Sequence, residues 1–511
     1  MRQISNFFFA AAVLTTASSP LSAQSNAPLS VIEWLGTWPR AQAVDPGAIE
    51  TAEEPPVAAT ALVPDVTVKP LGQGSLREIG LVPSNITGLP STLWAGSDID
   101  KLIPLIEGLP DFHLPAAQSL LYTVLLAEAA APGNIPSNGN QLSLARVAQL
   151  MKRGALDPAA SLIEQAGVTT SPAHFDLWMQ ISLLTGTEDR ACGVLRANPH
   201  LSRDYTTQVF CTARVRAWED AALTFGSAQA LGLLPAETLA LLERFLDPES
   251  FEAEDTLAIP RDIDPMRFRL FEAIGEPIPT GNLPRAFAVA DLRDLAGWKA
   301  QIVAAERLSR AGALPDNRLL GLYTNRKAAA SGGVWDRVTR LQRFETALGT
   351  QSPDAIAKTL PPIWDAMVSA DLEVPFATLF AEPLAQAALT GRAAQIAQNI
   401  QLLSPNYEAA GAKGDGFAER IAQGNVPEGR PADIMQAALY DAFDQSAPRA
   451  DLLDMVKQDR LGEAILHSLT LLHTGARGNA RALRDGLATL RALGLEDTAR
   501  RAALQTLILG G

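Results

Sequence analysis

From Pro115 onward the apolar positions repeat at helical spacing. The stretch "PAAQSLLYTVLLAEAA" opens with proline where a first turn tolerates it and carries an apolar stripe at Leu120, Leu121, Val124 and Leu125. A punctuation mark then recurs: a helical run ends in glycine, two to four residues follow, and a Pro, Asp, Glu or Ser opens the next run. It stands in "EQAGVTTSPAHF", "LLTGTEDRA", "QALGLLPAETL", "SRAGALPDNRLL" and "RALGLEDTARRAA". Glycine past the last turn takes a left-handed conformation at little cost, and the polar residue or proline starts a new helix. Short links set successive helices antiparallel. The marking glycines are Gly167, Gly186, Gly232, Gly312 and Gly494, at intervals of 19, 46, 80 and 182 residues. A tetratricopeptide array would repeat at about 34 residues. The pattern therefore predicts an all-α protein, an irregular α-solenoid of antiparallel helical hairpins over residues 116–511, with a compact helical body as the alternative.

Upstream of Pro115 the pattern changes. "MRQISNFFFAAAVLTTASSPLSAQS" has a positive charge at Arg2, an apolar run from Phe7 to Leu14 and small residues to Ala23, the layout of a cleaved secretory signal over 1–23. The run is far shorter than the roughly 18 apolar residues of a membrane span. Residues 24–115 are proline-rich, and between Glu33 and Asp111 eleven acidic residues face four basic ones. Pro39 to Pro64 reads as a flexible acidic linker, because so little apolar surface does not offset the entropy of ordering. Before it, "LSVIEWLGTW" (Leu29 to Trp38) reads either as a tethered docking helix or as a cap on the body. Val66 to Leu71 alternates like a short strand. The irregular segment that follows is expected to run over the helical body, pinned by Leu81, Leu89, Leu93 and Trp94.

Composition supports helices. Hydrophobic residues make up 47% and aromatics only 6%, with alanine and leucine dominant. Without the signal, 41 basic residues face 56 acidic ones, a net of −15. That excess disfavours nucleic acid and anionic membrane as main partners, since both require a basic face. Export to the periplasm in turn decides what thiols do. The two cysteines, Cys192 and Cys211, lie on runs "EDRACGVLRAN" and "RDYTTQVFCTARVRAW", equidistant from a turn at His200 and Leu201. Facing each other across a hairpin in an oxidising compartment, they are expected to form a disulfide, with two separately buried thiols as the alternative. A metal site lacks ligands: there is no CxxC, and His200 alone is near.

Catalytic signatures are missing. The five histidines form no HExxH pair, and no GxSxG, SxxK, GxxxxGK or calcium-loop pattern occurs. No catalytic residue, metal or cofactor is expected. "GAKGDGF" (Gly411 to Phe417) has glycines but no preceding strand, and reads as a loop. Two basic regions interrupt the acidic whole. From Glu306 to Glu345 eight basic residues face four acidic ones, and from Arg477 to the end six arginines face three acids. Each is either a solvated helix face or a docking surface for an acidic partner. Within the first, "LYTNRKAAASGGVWDRVTRLQRFE" supplies the candidate partner-binding residues Tyr323, Asn325, Arg326, Lys327, Ser331, Gly332, Gly333 and Trp335. A helix start with free N–H groups and nearby cations favours an anion, and tryptophan is enriched at interface anchors. The plain alternative is an inter-helix loop with Trp335 anchored in the core.

The helical texture is similar to that of tetratricopeptide-like and Sel1-like superhelices. It is also similar to the superhelix of soluble lytic transglycosylases. "PESFEAEDTLAIPRD" supplies a Glu249-Ser250 pair like the one that opens their catalytic domain, but the companion segments do not follow, so no catalytic role passes to Glu249. Through "ITGLPSTLW", "LLYTVLLAEA", "LLTGTEDRAC" and "GLEDTARRAAL" the whole chain resembles a group of exported all-helical proteins of alphaproteobacteria. That resemblance implies a compartment and a fold, and no mechanism. The function expected is a periplasmic, non-enzymatic scaffold or adaptor binding protein partners in an envelope assembly such as a flagellar motor, a secretion complex or a cell-wall complex. The alternative is a peptidoglycan-active or glycan-binding protein.

Overall fold

The computed structural model describes residues 78–444 and 448–510. The expected signal at 1–23, the patch at 29–38, the linker at 39–64 and the strand-like run at 66–71 lie outside the described residues. Among the described residues all regular structure is helical, and the β-type pairings are two isolated bridges, Ile79 with Ala129 and Val82 with Ala127. No helix there is long and apolar enough to cross a membrane.

Local chemistry sets the helix ends. Ser171, Asp264 and Ser352 are N-caps whose side-chain oxygens accept from the N–H groups of His174, Arg267 and Ala355, and each is followed by proline in the first turn. The cap satisfies an orphan donor, and proline forfeits a hydrogen bond that position never makes. At the other ends, all five marking glycines have positive φ, between 63° and 100°. Past Gly186, Gly232, Gly312 and Gly494 the next N–H reaches back to the carbonyl five residues earlier: Thr187 to Ser182, Leu233 to Ala228, Ala313 to Leu308 and Leu495 to Leu490. That bond closes the helix and turns the chain.

Neighbouring helices pack in sequence: Val334–Gly349 with Pro353–Val368, Glu373–Ala385 with Gly391–Leu403, and Leu461–Ala476 with Ala480–Ala492. Their buried side chains form two cores. One runs from Ile79 to Ala290 and resumes from Leu402 to Leu504; the other is built between Ala288 and Leu403. The chain thus leaves its first core, builds a second and returns. The last helix, Glu496–Leu509, packs on Pro115–Leu126, where Gln505 Oε1 accepts from the Ala116 N–H at 2.9 Å. Nearby, the Gly462 N–H donates to Leu93 O and the Gly96 N–H to Asp459 O, both at 2.9 Å.

Leu89, Leu93 and Trp94 are buried and Leu81 is half-buried, so these residues pin the entry segment as their pattern suggests. The same segment also holds helix Ile99–Glu107, with Leu102 and Ile106 in the core. Arg146 is buried beneath it and donates to the carbonyls of Leu125, Ile79 and Ala127 at 2.6, 2.7 and 2.8 Å. Burial without a carboxylate pushes its pKa down to about 10.

Candidate functional site

Cys192 lies on helix Glu188–Ala197 and Cys211 on helix Tyr205–Arg214, with the turn Pro199–Leu201 between them. They are disulfide-bonded with their Cα atoms 4.9 Å apart, within the span of such a bridge. Asp204 caps the second helix by accepting from the N–H groups of Thr206 and Thr207. The hairpin is therefore fixed at its open end by a covalent link and at its turn by a cap.

The residues between Tyr323 and Trp335 divide between inside and outside. Tyr323 is 1% exposed, and its hydroxyl donates to Glu306 Oε1 at 2.6 Å. Arg337 Nη2 donates to both oxygens of the same carboxylate, at 2.7 and 2.6 Å. Burial, reinforced by Glu306, holds the Tyr323 phenol well above its usual pKa. Tyr323 is thus removed from the candidate docking surface, because a buried hydroxyl takes the partner that satisfies it. Trp335 is half-buried, its ring centroid 5.0 Å from that of Trp298. Asn325, Arg326, Lys327, Ser331, Gly332 and Gly333 are exposed. At the helix start behind them, Asp336 Oδ1 already accepts from the Gly332 N–H at 2.9 Å, which places a carboxylate where an anion was expected. The surrounding basic region is not one solvated face either. Arg307 donates to Thr280 O at 3.1 Å and Arg310 to Ala370 O at 2.6 Å, both bracing backbone. Glu249 stands exposed in the turn Pro248–Phe251, where Ser250 Oγ donates to Asp247 Oδ2 at 2.7 Å.

A different place gathers more chemistry. After helix Tyr205–Arg214 the Ala217 N–H reaches back to Thr212 O at 3.1 Å, the closing bond seen past the glycines. The left-handed residue here is Arg216, with φ 64°. Two other non-glycine residues fill the same place before an equivalent bond, Asp371 and Asp459. Aspartate tolerates that conformation, whereas a long side chain with a Cβ pays roughly 1–2 kcal/mol for it. Arg216 is exposed and, among the described residues, makes no ion pair or side-chain hydrogen bond. It lines two adjoining depressions. One, of about 570 Å³, is walled by Phe210, Trp218, Phe245, Arg214 and Arg269. The other, of about 470 Å³, lies over the disulfide between Arg196, Gln208 and Asp220.

In the first depression the rings are layered. Phe245 stacks on Phe210 at 5.6 Å, and Trp218, 48% exposed, tilts over Phe245 at 6.1 Å. Two of the arginines are matched from behind. Arg269 donates to Glu188 Oε1 from Nε and Nη2 at 3.0 and 2.7 Å and also pairs with Glu272, which Arg293 holds in turn at 2.7 Å. Arg214 bonds Asp189 at 2.8 Å and Glu188 at 3.3 Å. Burial opposes the charge on Arg269, but Glu188 and Glu272 outweigh it and hold its pKa above the usual value. Glu188 itself is buried, and its Oε2 has no hydrogen-bond partner among the described residues.

Helix Trp218–Ala230 continues from this rim. It buries only Ala221 and Ala228. On the opposite side Ala222, Leu223, Gly226 and Ala230 face outward and are exposed, with Leu223 and the following Leu231 each at 71%. A surface helix ordinarily turns charge outward along its length; this one exposes charge only in its first turn, at Glu219 and Asp220, and none from Ala222 to Ala230. Reasoning from glycine punctuation misses the site, because the helix before it ends without glycine. The signal available in the sequence is "ARVRAW", two arginines and a tryptophan at alternate positions just past a cysteine-bearing helix. No family model, no curated protein and no solved structure matches the chain.

Proposed function

We propose that this protein is an exported, non-enzymatic helical scaffold that docks an acidic protein partner of the cell envelope on helix Trp218–Ala230 and its arginine-bearing entrance. The observation that carries the reading is the outward face Ala222, Leu223, Gly226 and Ala230, which beyond the first-turn Glu219 and Asp220 carries no charge and is unpartnered among the described residues. Small side chains let another polypeptide approach closely, and Leu223 and Leu231 offer apolar area for burial. Charge complementarity sets the partner's sign. In the depression walled by Phe210, Trp218 and Phe245 the lining charges are Arg214, Arg216 and Arg269, and Arg216 has no ion pair among the described residues; the exposed Glu219 and Asp220 lie outside that lining. The expected periplasmic location comes from the first 23 residues, and the disulfide is consistent with it.

A photo-crosslinking residue at position 223 in cells tests this, with position 331 in the exposed loop as control. The expected result is one discrete adduct from 223 and none from 331. Once identified, the partner should bind the purified parent at least tenfold more tightly than Leu223→Asp. Equal adducts at both positions, or none at 223, overturn the reading.

One observation favours a second reading, glycan binding: a half-exposed tryptophan tilted over phenylalanine also suits the apolar face of a sugar ring. Binding to purified peptidoglycan that Trp218→Ala abolishes and Leu223→Asp leaves intact would select it. Clearing of peptidoglycan that disappears in Glu249→Gln would instead make the protein an enzyme.

A further inference from the structure

We propose that the depression walled by Phe210, Trp218 and Phe245 seats an acidic and apolar anchor of that partner polypeptide, a carboxylate beside a bulky apolar side chain, with the carboxylate on Arg216. This deepens the docking reading and rests on it.

Charge matching comes first. Glu188, Asp189 and Glu272 already answer Arg214, Arg269 and Arg293. What is left over in the lining of this depression is Arg216, one cation for one anion; the exposed Glu219 and Asp220 lie outside that lining, Asp220 in the adjoining depression that Arg216 also borders. Beside low-dielectric aromatic walls such a charge-assisted bond is stronger than on open surface. The walls define the rest of the ligand: three layered rings and about 570 Å³, room for a large side chain and its neighbour. A backbone argument converges on the same residue. Glycine closes helices at Gly186, Gly232, Gly312 and Gly494 through this bond, yet Arg216 fills the equivalent position two residues past Arg214 despite its positive φ. Strain held at an exposed, unpaired charge points to use of that charge. A polypeptide suits the surface better than a sugar acid. Past Glu219 and Asp220 the exposed face runs through Leu223 to Leu231 with only Ser227 and Gln229 as exposed polar side chains, too few for a polyhydroxyl chain.

The experiment follows the Trp218 indole N–H signal of the full mature protein by NMR, assigned with Trp218→Phe. Three probes are titrated: the dipeptides Ac-Glu-Phe-NH2 and Ac-Gln-Phe-NH2, and glucuronic acid. The glutamate dipeptide is expected to shift the signal saturably in the millimolar range and the glutamine dipeptide to bind at least tenfold more weakly. Arg216→Gln should bring the glutamate dipeptide down to the glutamine value, and Arg216→Gly, which relaxes the backbone, should do the same. The proposal is overturned if the two dipeptides bind equally, if neither shifts Trp218, if Arg216→Gln leaves the difference intact, or if glucuronic acid binds where the dipeptide does not. If the dipeptides fail while the position-223 adduct persists, the anchor falls and docking stands. The reverse outcome removes docking and the partner with it, and leaves only the pocket's affinity for a Glu-Phe pair.

Discussion

At Arg216 a left-handed backbone is held by a residue with a Cβ and a charged side chain. If the arginine is there for its guanidinium, its backbone is under strain that glycine would relieve. Arg216→Gly removes roughly 1–2 kcal/mol of strain. It adds about 0.4–1 kcal/mol of chain entropy to the unfolded state. The net expectation is unchanged or slightly higher stability, read as a urea midpoint that does not fall. A loss above about 1 kcal/mol would show that the side chain braces the fold. The contrast with Tyr323 is instructive. Both residues sit near basic stretches, but Tyr323 is enclosed and satisfied by Glu306, whereas Arg216 is exposed and unmatched among the described residues.

The hairpin of helices Glu188–Ala197 and Tyr205–Arg214 is the element that carries the site, and its geometry is held by one covalent bond. Cys192 and Cys211 are 19 residues apart, so their link restricts the unfolded chain by an amount worth about 3 kcal/mol. Cys192→Ser should therefore lower the urea midpoint by that order while leaving far-UV helical signal in place, since the caps at Asp204 and the core contacts remain. A variant as stable as the parent would mean that the bridge constrains nothing the packing does not already fix. The adjoining helix Trp218–Ala230 shows the complementary case. Its inner face is two alanines, so it is held by backbone proximity and its ends rather than by large buried side chains.

Across the whole described body, the two ends of the chain share one core. Trp94 is fully buried, and a Cβ added at Gly462 would overlap its ring. Gly462 lies inside helix Leu461–Ala476, where propensity alone makes Gly→Ala stabilising by about 1 kcal/mol. The packing reverses that sign. Gly462→Ala should destabilise by about 1–3 kcal/mol through overpacking. It should also speed proteolysis within residues 78–98, which Leu93 and Gly96 tie to the 459–462 turn. A raised thermal midpoint would refute the close approach of these two segments.

What the sequence determines by itself is local and short-range. Apolar spacing, capping residues and glycine punctuation act within a few residues, so the all-helical class, the helix ends at Gly186, Gly232, Gly312 and Gly494, and the facing of Cys192 and Cys211 across one turn are written in the chain. Leu89, Leu93 and Trp94 likewise declare themselves as apolar anchors in a segment without helical periodicity. The tertiary structure alone decides which charges are spoken for. Arg307, Arg310 and Arg337 read in sequence as part of either a solvated face or a docking surface, but they turn to backbone carbonyls and to Glu306, partners that packing brings against them. Arg216 gives no such warning: only packing shows that it stands unmatched at a rim made by Phe210, Trp218, Phe245 and Arg269, residues up to 59 positions apart. Periodicity fixes which face of a helix is buried, while charge pairing depends on which helix comes to lie against it, and that is settled only when all the helices pack at once.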